Sequence, residues 1–383
     1  MRIVHIIPRG YIEGRAYQEN ILPKKHHELG FEVHIITSQL TVSEKGRDVE
    51  MQKAGKYINR EGVIVHVLKT PRSNIVRYLY GCCCIGIKKT LNAINPDIIF
   101  IHNVGAGENR YIRSFVSQHR SVQVFADCHQ DYYNNPQKNL KQKVAGYISR
   151  KNAKRLEPIT TKFWGTTPWR VDYLKDYYHI ESNKVDLLVM GGDEKQILSY
   201  SIAKVRGSIR SQYGIPNNAF LVVTGGVIDK RKQQDLLMEA IVQLESHNVW
   251  LLVFGKPTSE MKSICEHYSS QSNIIFAGWV DADYSNELFL ASDMAIFPGT
   301  HSVLWEQAAA CGVPQIIRRW KGMEHINVNG NVYLLDEVNV DSLKAAIEDR
   351  LFTDEYKKMN LLAKEAAPVF YYDKIARKSI GIK

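Results

Sequence analysis

The chain has 383 residues, of which 44% are hydrophobic and 23% charged. That balance excludes a disordered or fibrous chain. The length also exceeds the roughly 250–300 residues at which single cores stop growing, so two domains are expected. The net charge of +10 suits an anionic partner: nucleic acid, a phosphorylated substrate or a membrane surface. Six cysteines, three of them consecutive at Cys82, Cys83 and Cys84, do not make a disulfide framework and imply a reducing, cytoplasmic compartment. No apolar run reaches the roughly 18–20 residues of a membrane span. The N-terminal run that ends at Pro8 is too short for a secretion signal.

Short apolar runs alternate with helical patterns along the chain. They begin at Ile3, Val33, Val63, Asp97, Val122, Phe163 and Val185, and after a gap at Phe220, Val249, Asn273, Asp293, Pro314 and Asn331. They are rich in Val and Ile and nearly continuous, which is how parallel strands covered on both faces read. The alternation predicts an α/β protein of two doubly wound parallel-sheet domains facing a cleft, with ligands at the carboxyl ends of the strands. The turn-rich stretch Met190–Glu194 marks the seam. Residues 1–193 are expected to form the first domain, 194–366 the second, and 367–383 a C-terminal helix with the option of crossing back to the first. A helical stretch is expected over Lys195–Tyr213.

Polar residues at predicted strand ends are the candidate site. After the run from Asp293, a helix is expected from near Ser302 to Cys311, with His301 or Ser302 as its cap and Gly312 as its stop. Its N-terminus offers backbone N–H groups to a phosphate, and Glu306, about one turn in, can accept from ribose hydroxyls. A dipole-stabilising glutamate is the ordinary alternative. After the strand ending at Gly225–Gly226, the cations Lys230, Arg231 and Lys232 crowd the connection to a helix near Gln233, where they can stabilise charge on a leaving diphosphate or form a solvated basic turn. In the first half, Gly10 and Gly14 frame a loop. Asp127, His129 and Asp131 cluster past a strand end, and a histidine there can orient or deprotonate a hydroxyl. His102 and Asn103 end a neighbouring strand. Asp281 and Asp283 read as helix capping ahead of metal binding. No zinc spacing, phosphate-binding loop, nucleotide-reading G-x-G-x-x-G or nucleic-acid motif is present.

The positive charge concentrates in Lys138, Lys141, Lys143, Arg150, Lys151, Lys154 and Arg155, with no acid before Glu157. Leu140, Val144, Tyr147 and Ile148 form one apolar stripe at helical spacing. Two readings stand: the stripe packs on the sheet, or the helix lies on an anionic membrane face.

The sequence resembles the retaining GT-B glycosyltransferases of family 4 over nearly its whole length, most strongly from Phe220 to Asp336. GGVIDKRKQQDLLMEAI is similar to that family's glycine–basic–lysine segment, NIIFAGWVDADYSNELFLASDMAIFPG to the strand–helix–strand that follows, and LWEQAAACGVPQII to the stretch with the second glutamate of its E-x7-E pair. The N-terminal GYIEGRAYQENIL resembles its acceptor-side loop, and CHQD its active-site histidine segment. The resemblance implies His129, Lys232 and Glu306 as catalytic residues. It implies a donor site of Gly226, Lys230, Arg231, Lys232, Trp279, Val280, His301, Ser302, Val303, Leu304 and Glu306. It implies an acceptor site of Gly10, Tyr11, Gly14, Arg15, His102, Asn103, His129 and Asp131. It also implies a nucleotide-sugar donor, no metal or cofactor, and a glycan or lipid-linked acceptor in cell-surface polysaccharide synthesis. The enzyme would be cytoplasmic, with the basic helix as a contact to the inner membrane face. Two positions depart from the pattern: Pro298 stands where the first glutamate belongs and Val227 where an arginine belongs. The alternatives are a nucleotide-sugar epimerase or hydrolase of the same fold, and a catalytically silent partner subunit.

Overall fold

The computed structural model describes residues 1–14, 17–42, 48–50, 52–71, 83–135 and 138–382. The chain divides into two compact units, Met1–Val189 with Ile375–Lys383, and Met190–Lys374.

The first unit contains β1 (Arg2–Ile7), α1 (Gln18–Glu28), β2 (Glu32–Ser38), β3 (Leu40–Val42), β4 (Asp48–Glu50), β5 (Gly55–Ile58), β6 (Ile64–Leu68), α2 (Ile87–Ile94), β7 (Ile98–His102), α3 (Asn109–Val116), β8 (Gln123–Cys128), α4 (Leu140–Leu156), β9 (Lys162–Gly165), α5 (Pro168–Asp176) and β10 (Val185–Leu187). Its main sheet runs β10-β9-β8-β7-β1-β2-β6-β5. Only the β5–β6 pair in it is antiparallel. The central strands are closed to solvent: Ile3, Val4 and Ile6 on β1 and Ile99–Ile101 on β7 are fully buried. The near-continuous apolar runs foretold this.

The second unit contains α6 (Glu194–Ile197), α7 (Ile202–Gln212), β11 (Phe220–Gly225), α8 (Gln234–Val242), β12 (Val249–Phe254), α9 (Lys262–Tyr268), β13 (Ile274–Gly278), α10 (Ala282–Ala291), β14 (Met294–Phe297), α11 (Leu304–Ala310), β15 (Gln315–Arg318), β16 (Val332–Leu335), α12 (Val340–Glu348) and α13 (Asp354–Ala366). The sheet, β13-β12-β11-β14-β15-β16, is parallel throughout. The last helix, α14 (Tyr372–Ser379), leaves the second unit, and from Ile375 its residues belong to the first.

Every predicted strand is present, and among the described residues three short ones are additional. Of these, β5 carries no apolar signal because all four of its residues are exposed at the sheet edge. The stretch expected as one helix over Lys195–Tyr213 is two, α6 and α7. Asp281 caps α10, accepting from the Tyr284 amide at 2.8 Å. No disulfide joins any of the five described cysteines.

The basic stretch forms α4, opened by a capping box between Asn139 and Gln142. Its stripe does not pack on the sheet. Leu140, Val144 and Tyr147 are 77%, 40% and 60% exposed, Ile148 is half-buried, and α4 instead buries Gly146, Asn152, Ala153 and Leu156. Gly105, just before α3, leaves no room for a Cβ, which would fall 1.9 Å from Ser149 Oγ.

One buried ion pair ties α7 to the second sheet. Arg210, 2% exposed, donates to Asp293 Oδ2 at 2.9 Å and to the Pro216 carbonyl at 2.7 Å. Asp293 also accepts from Arg206 at 2.8 Å and from the Leu221 amide at 2.8 Å. Removing one partner of a buried pair strands the other charge, at a cost of about 3–5 kcal/mol. Asp293→Ala should therefore lower the urea midpoint by that equivalent. Arg206→Ala, at a side chain one-third exposed, should cost under about 1 kcal/mol. Equal losses in the two variants would refute this assignment.

Candidate functional site

Both units place charged and polar side chains at the carboxyl ends of their parallel strands. In the second unit β14 ends at Phe297, and Pro298–Val303 lead into α11. The first turn is shorter than the sequence suggests: the N-cap is Val303, with no side-chain cap, and the helix starts at Leu304. Gly299 is confined by backbone, since a Cβ there would lie 2.3 Å from both Arg231 O and Lys232 Cα. That contact fixes the loop after β14 against the turn after β11, and the Thr300 amide donates to Arg231 O at 3.1 Å.

The three cations of that turn do different things. Asp229 caps the turn, accepting from the Arg231 and Lys232 amides, and its carboxylate pairs with the Arg231 guanidinium at 2.5 Å. Lys230 is exposed. Lys232 reaches inward and donates to the carbonyls of Thr300 and His301 at 2.7 and 2.8 Å. Burial pushes its ammonium down to about 8, with Asp229 opposing and Arg231 adding to the shift. Gly226 takes φ +103°, and its missing Cβ would lie 3.4 Å from Leu304 and 3.9 Å from Ser302. The structure thus gathers Gly226, Lys232, His301, Ser302, Leu304 and Glu306. Trp279 follows β13, the edge strand separated from β11 by β12, and is 63% exposed, with Val280 half-buried beside it; Val227 is 55% exposed.

Glu306 is fully buried. Its Oε1 lies 2.8 Å from His301 Nε2 and 2.9 Å from His325 Nε2, while Oε2 has no partner. Burial would raise this carboxyl, but the charge and hydrogen bond of His301 and the hydrogen bond of His325 outweigh it and hold it at about 2. His325 was not foreseen. It sits on a short turn, Glu324–Ile326, 19 residues from its partner, and no periodicity marks it.

In the first unit, His102 ends β7 and Asp127 lies near the end of β8. Both are buried, and His102 Nδ1 lies 2.8 Å from Asp127 Oδ2. His129, with a third of its side chain exposed, faces the same oxygen with Nε2 at 3.3 Å. Burial would lower its pKa, but the charge of Asp127 raises it overall. The same histidines, against burial, hold Asp127 well below the usual carboxylate range. Asp131 shapes the loop: it accepts from the Tyr133 and Asn134 amides and pairs with Arg170 at 3.3 Å. Asn103 is exposed at φ +119°. Tyr11 is a core residue, 3% exposed, whose hydroxyl accepts from Asn59 at 3.0 Å. Gly10 and Gly14 adopt positive φ. Arg15 lies outside the described residues.

The donor atoms of His102, Asp127 and His129, and those of His301, Glu306 and His325, lie within 4.8 Å of one another. A zinc ion bonded at about 2.0–2.1 Å to each would sit between atoms spread apart around it. The 2.8–2.9 Å separations here are N–H···O distances, with the proton in that space. The Glu306 cluster is a hydrogen-bonded set; in the other, His102 is hydrogen-bonded to Asp127 and His129 faces the same oxygen at 3.3 Å.

Residues 205–367 match the family model described as glycosyl transferases group 1. No curated protein matches. Among solved structures, HepE from Anabaena, in a complex with UDP and glucose, aligns at 13% identity over 99% of this chain and 98% of its own, with a TM-score of 0.70. Sucrose-phosphate synthase from Thermosynechococcus elongatus aligns at 16% identity over 98% and 96%, with a TM-score of 0.71. WaaG, a glycosyltransferase involved in lipopolysaccharide biosynthesis, aligns at 17% identity over 99% and 98%, with a TM-score of 0.69. The fold is GT-B. The matched domain on that fold supports a glycosyltransferase.

The low carboxyl value of Glu306 has a stability consequence. A carboxylate whose folded pKa is depressed stabilises the fold above its unfolded value, near 4.5, and loses that contribution as pH falls toward 2. His325→Ala removes one donor to a charged acceptor, worth about 1.5–3 kcal/mol. The variant should be destabilised by that amount at pH 7, and its gap to wild type should narrow below pH 4.5. A gap that is constant from pH 7 to 3.5 would show that His325 acts by packing alone.

Proposed function

We propose that this protein transfers a glycosyl group from a nucleotide-activated sugar to a glycan or lipid-linked acceptor, with retention at the anomeric carbon, as a family 4 enzyme of cell-surface polysaccharide synthesis. The observation that carries the proposal is Glu306: a buried, ionised carboxylate one turn into the helix after β14, with Oε2 unpartnered. A ribose diol supplies the donors that this oxygen lacks. The glycosyl transferases group 1 match and the UDP and glucose bound to the Anabaena neighbour support a nucleotide-sugar donor.

The diphosphate would lie against Gly226 and the backbone of Ser302, Val303 and Leu304, with Lys232 beside it. As the bond from the anomeric carbon to the diphosphate breaks, the electron pair leaves on the diphosphate oxygen, where Lys232 stabilises it. The acceptor hydroxyl attacks the oxocarbenium-like centre from the side of the departing group and passes its proton to that oxygen, which gives retention. Protein charge takes the part a metal would play. His129 would orient a sugar hydroxyl in the first unit, and the polar loop residues there would hold the acceptor.

Titration calorimetry with UDP tests the donor site. A hydrogen bond to a charged group is worth about 1.5–3 kcal/mol, so Glu306→Ala should weaken binding at least about tenfold. Unchanged affinity in a folded variant would overturn the ribose assignment.

The second part of the proposal is peripheral attachment to an anionic membrane face through α4. The support is the exposure of Leu140, Val144 and Tyr147 among cations. Among the described residues no helix is long and apolar enough to cross a membrane, so attachment would be from one side. Each cation near an anionic surface contributes about 1 kcal/mol, screened by salt. Binding to anionic vesicles at low salt should fall at least about a hundredfold when Lys141, Lys143 and Lys151 are changed to Glu. A wild type that ignores such vesicles would make the helix purely structural.

A further inference from the structure

Asp127 meets His129 on one side. On the other it ends a file of three imidazoles through the interior of the first unit. His102 Nδ1 lies 2.8 Å from Asp127 Oδ2, His102 Nε2 lies 3.0 Å from His5 Nδ1, and His5 Nε2 lies 2.9 Å from His26 Nδ1. The file ends on α14, where His26 Nε2 lies 3.0 Å from the Ala376 carbonyl oxygen and 3.1 Å from Ser379 Oγ. His5 and His26 are fully buried and His102 is 6% exposed. The reaction proposed above uses neither His5 nor His26.

The donors along the file can be counted from the helix end. The Ser379 hydroxyl spends its proton on the Ala376 carbonyl at 2.7 Å. That carbonyl can only accept, so His26 must donate from Nε2. His26 then accepts at Nδ1 from His5 Nε2–H, and His5 accepts at Nδ1 from His102 Nε2–H. The last contact, to the Asp127 carboxylate, also needs a donor. Four contacts require four N–H protons, and three neutral rings hold three. Burial keeps His5 well below its ordinary value, with His26 and His102 adding to the shift. Burial pushes His26 down to about 4 against its bond to Ala376. Those two rings are neutral at pH 7, and the remaining ring is the one against the carboxylate.

We infer that this file holds His102 as an imidazolium, and that the His102–Asp127 ion pair in turn sets the protonation of His129. His5, His26 and His102 are then positioning residues. An imidazolium at His102 cancels much of the charge that Asp127 presents to His129. A neutral His102 would leave the carboxylate bare, and His129 would keep its proton to higher pH. The other charged groups acting on His129 are Glu19, which favours the charged ring, and Arg170, which opposes it. The consequence for transfer rests on the reading of His129 given above; the protonation state of the file does not.

The test is long-range proton–nitrogen NMR on the full chain labelled with 15N-histidine, at pH 8, assigned by single histidine variants. His102 is expected to carry protons on both nitrogens, and His5 and His26 on Nε2 alone. A singly protonated His102 overturns the inference. A pair of variants adds a second reading. His26→Phe removes the donor that faces Ala376, so His5 can turn its proton toward His102, which becomes neutral. His26→Gln keeps the arrangement, its amide donating to Ala376 and its carbonyl accepting from His5. The titration midpoint of His129 should rise by about one pH unit in the phenylalanine variant and stay at the wild-type value in the glutamine variant, with near-UV circular dichroism confirming native packing. A midpoint unmoved in the phenylalanine variant would contradict the inference. UDP calorimetry on the wild type reports separately on the transferase reading: loss of that binding with an imidazolium at His102 would refute the function and leave the file intact.

Discussion

A carboxylate taken out of water must be met by donors or it will not stay ionised. This constraint shapes the carboxyl ends of both sheets. Each unit has a completely buried carboxylate, Asp127 or Glu306, that turns one oxygen to two histidines. In both, imidazole charge and hydrogen bonds outweigh burial and keep the carboxyl ionised. In both, the second oxygen, Asp127 Oδ1 or Glu306 Oε2, has no partner. A buried carboxylate oxygen without a donor costs stability.

The surrounding structure serves these two groups. The loop after β14 can hold His301 against Glu306 because Gly299 lets it lie directly on the backbone of Arg231 and Lys232. Lys232 then ties the same loop through two carbonyls, at the cost of partial desolvation of its own charge. In the first unit the C-terminal helix supplies the Ala376 carbonyl that ends the histidine file. The last residues of the chain therefore govern the hydrogen-bonding direction of rings that begin at β1.

The fold was legible because parallel strands covered on both faces must be almost wholly apolar, and every such run proved to be a strand. The edge strand β5 escaped because GKYI is exposed and gives no pattern. Glu306 and Lys232 stood out through their positions after predicted strands. His325 could not be found, since its turn is brought to Glu306 only by the packing of the second unit. His5 lay in plain view inside an apolar strand, but a single histidine there says nothing until His26 and His102 are seen on either side of it. The fate of α4 was left open by its pattern. Its apolar stripe satisfies helical spacing, yet the helix buries Gly146, Asn152, Ala153 and Leu156 instead.

The role proposed for Glu306, ionised and buried with Oε2 unpartnered, is to bind the ribose of a nucleotide sugar. A crystal structure of the protein with UDP tests it most directly. Both ribose hydroxyls are expected within hydrogen-bond distance of Glu306, with Oε1 still held by His301 and His325 and the diphosphate against Gly226 and Lys232. A nucleotide bound away from Glu306, or one that leaves Oε2 as empty as before, would contradict it.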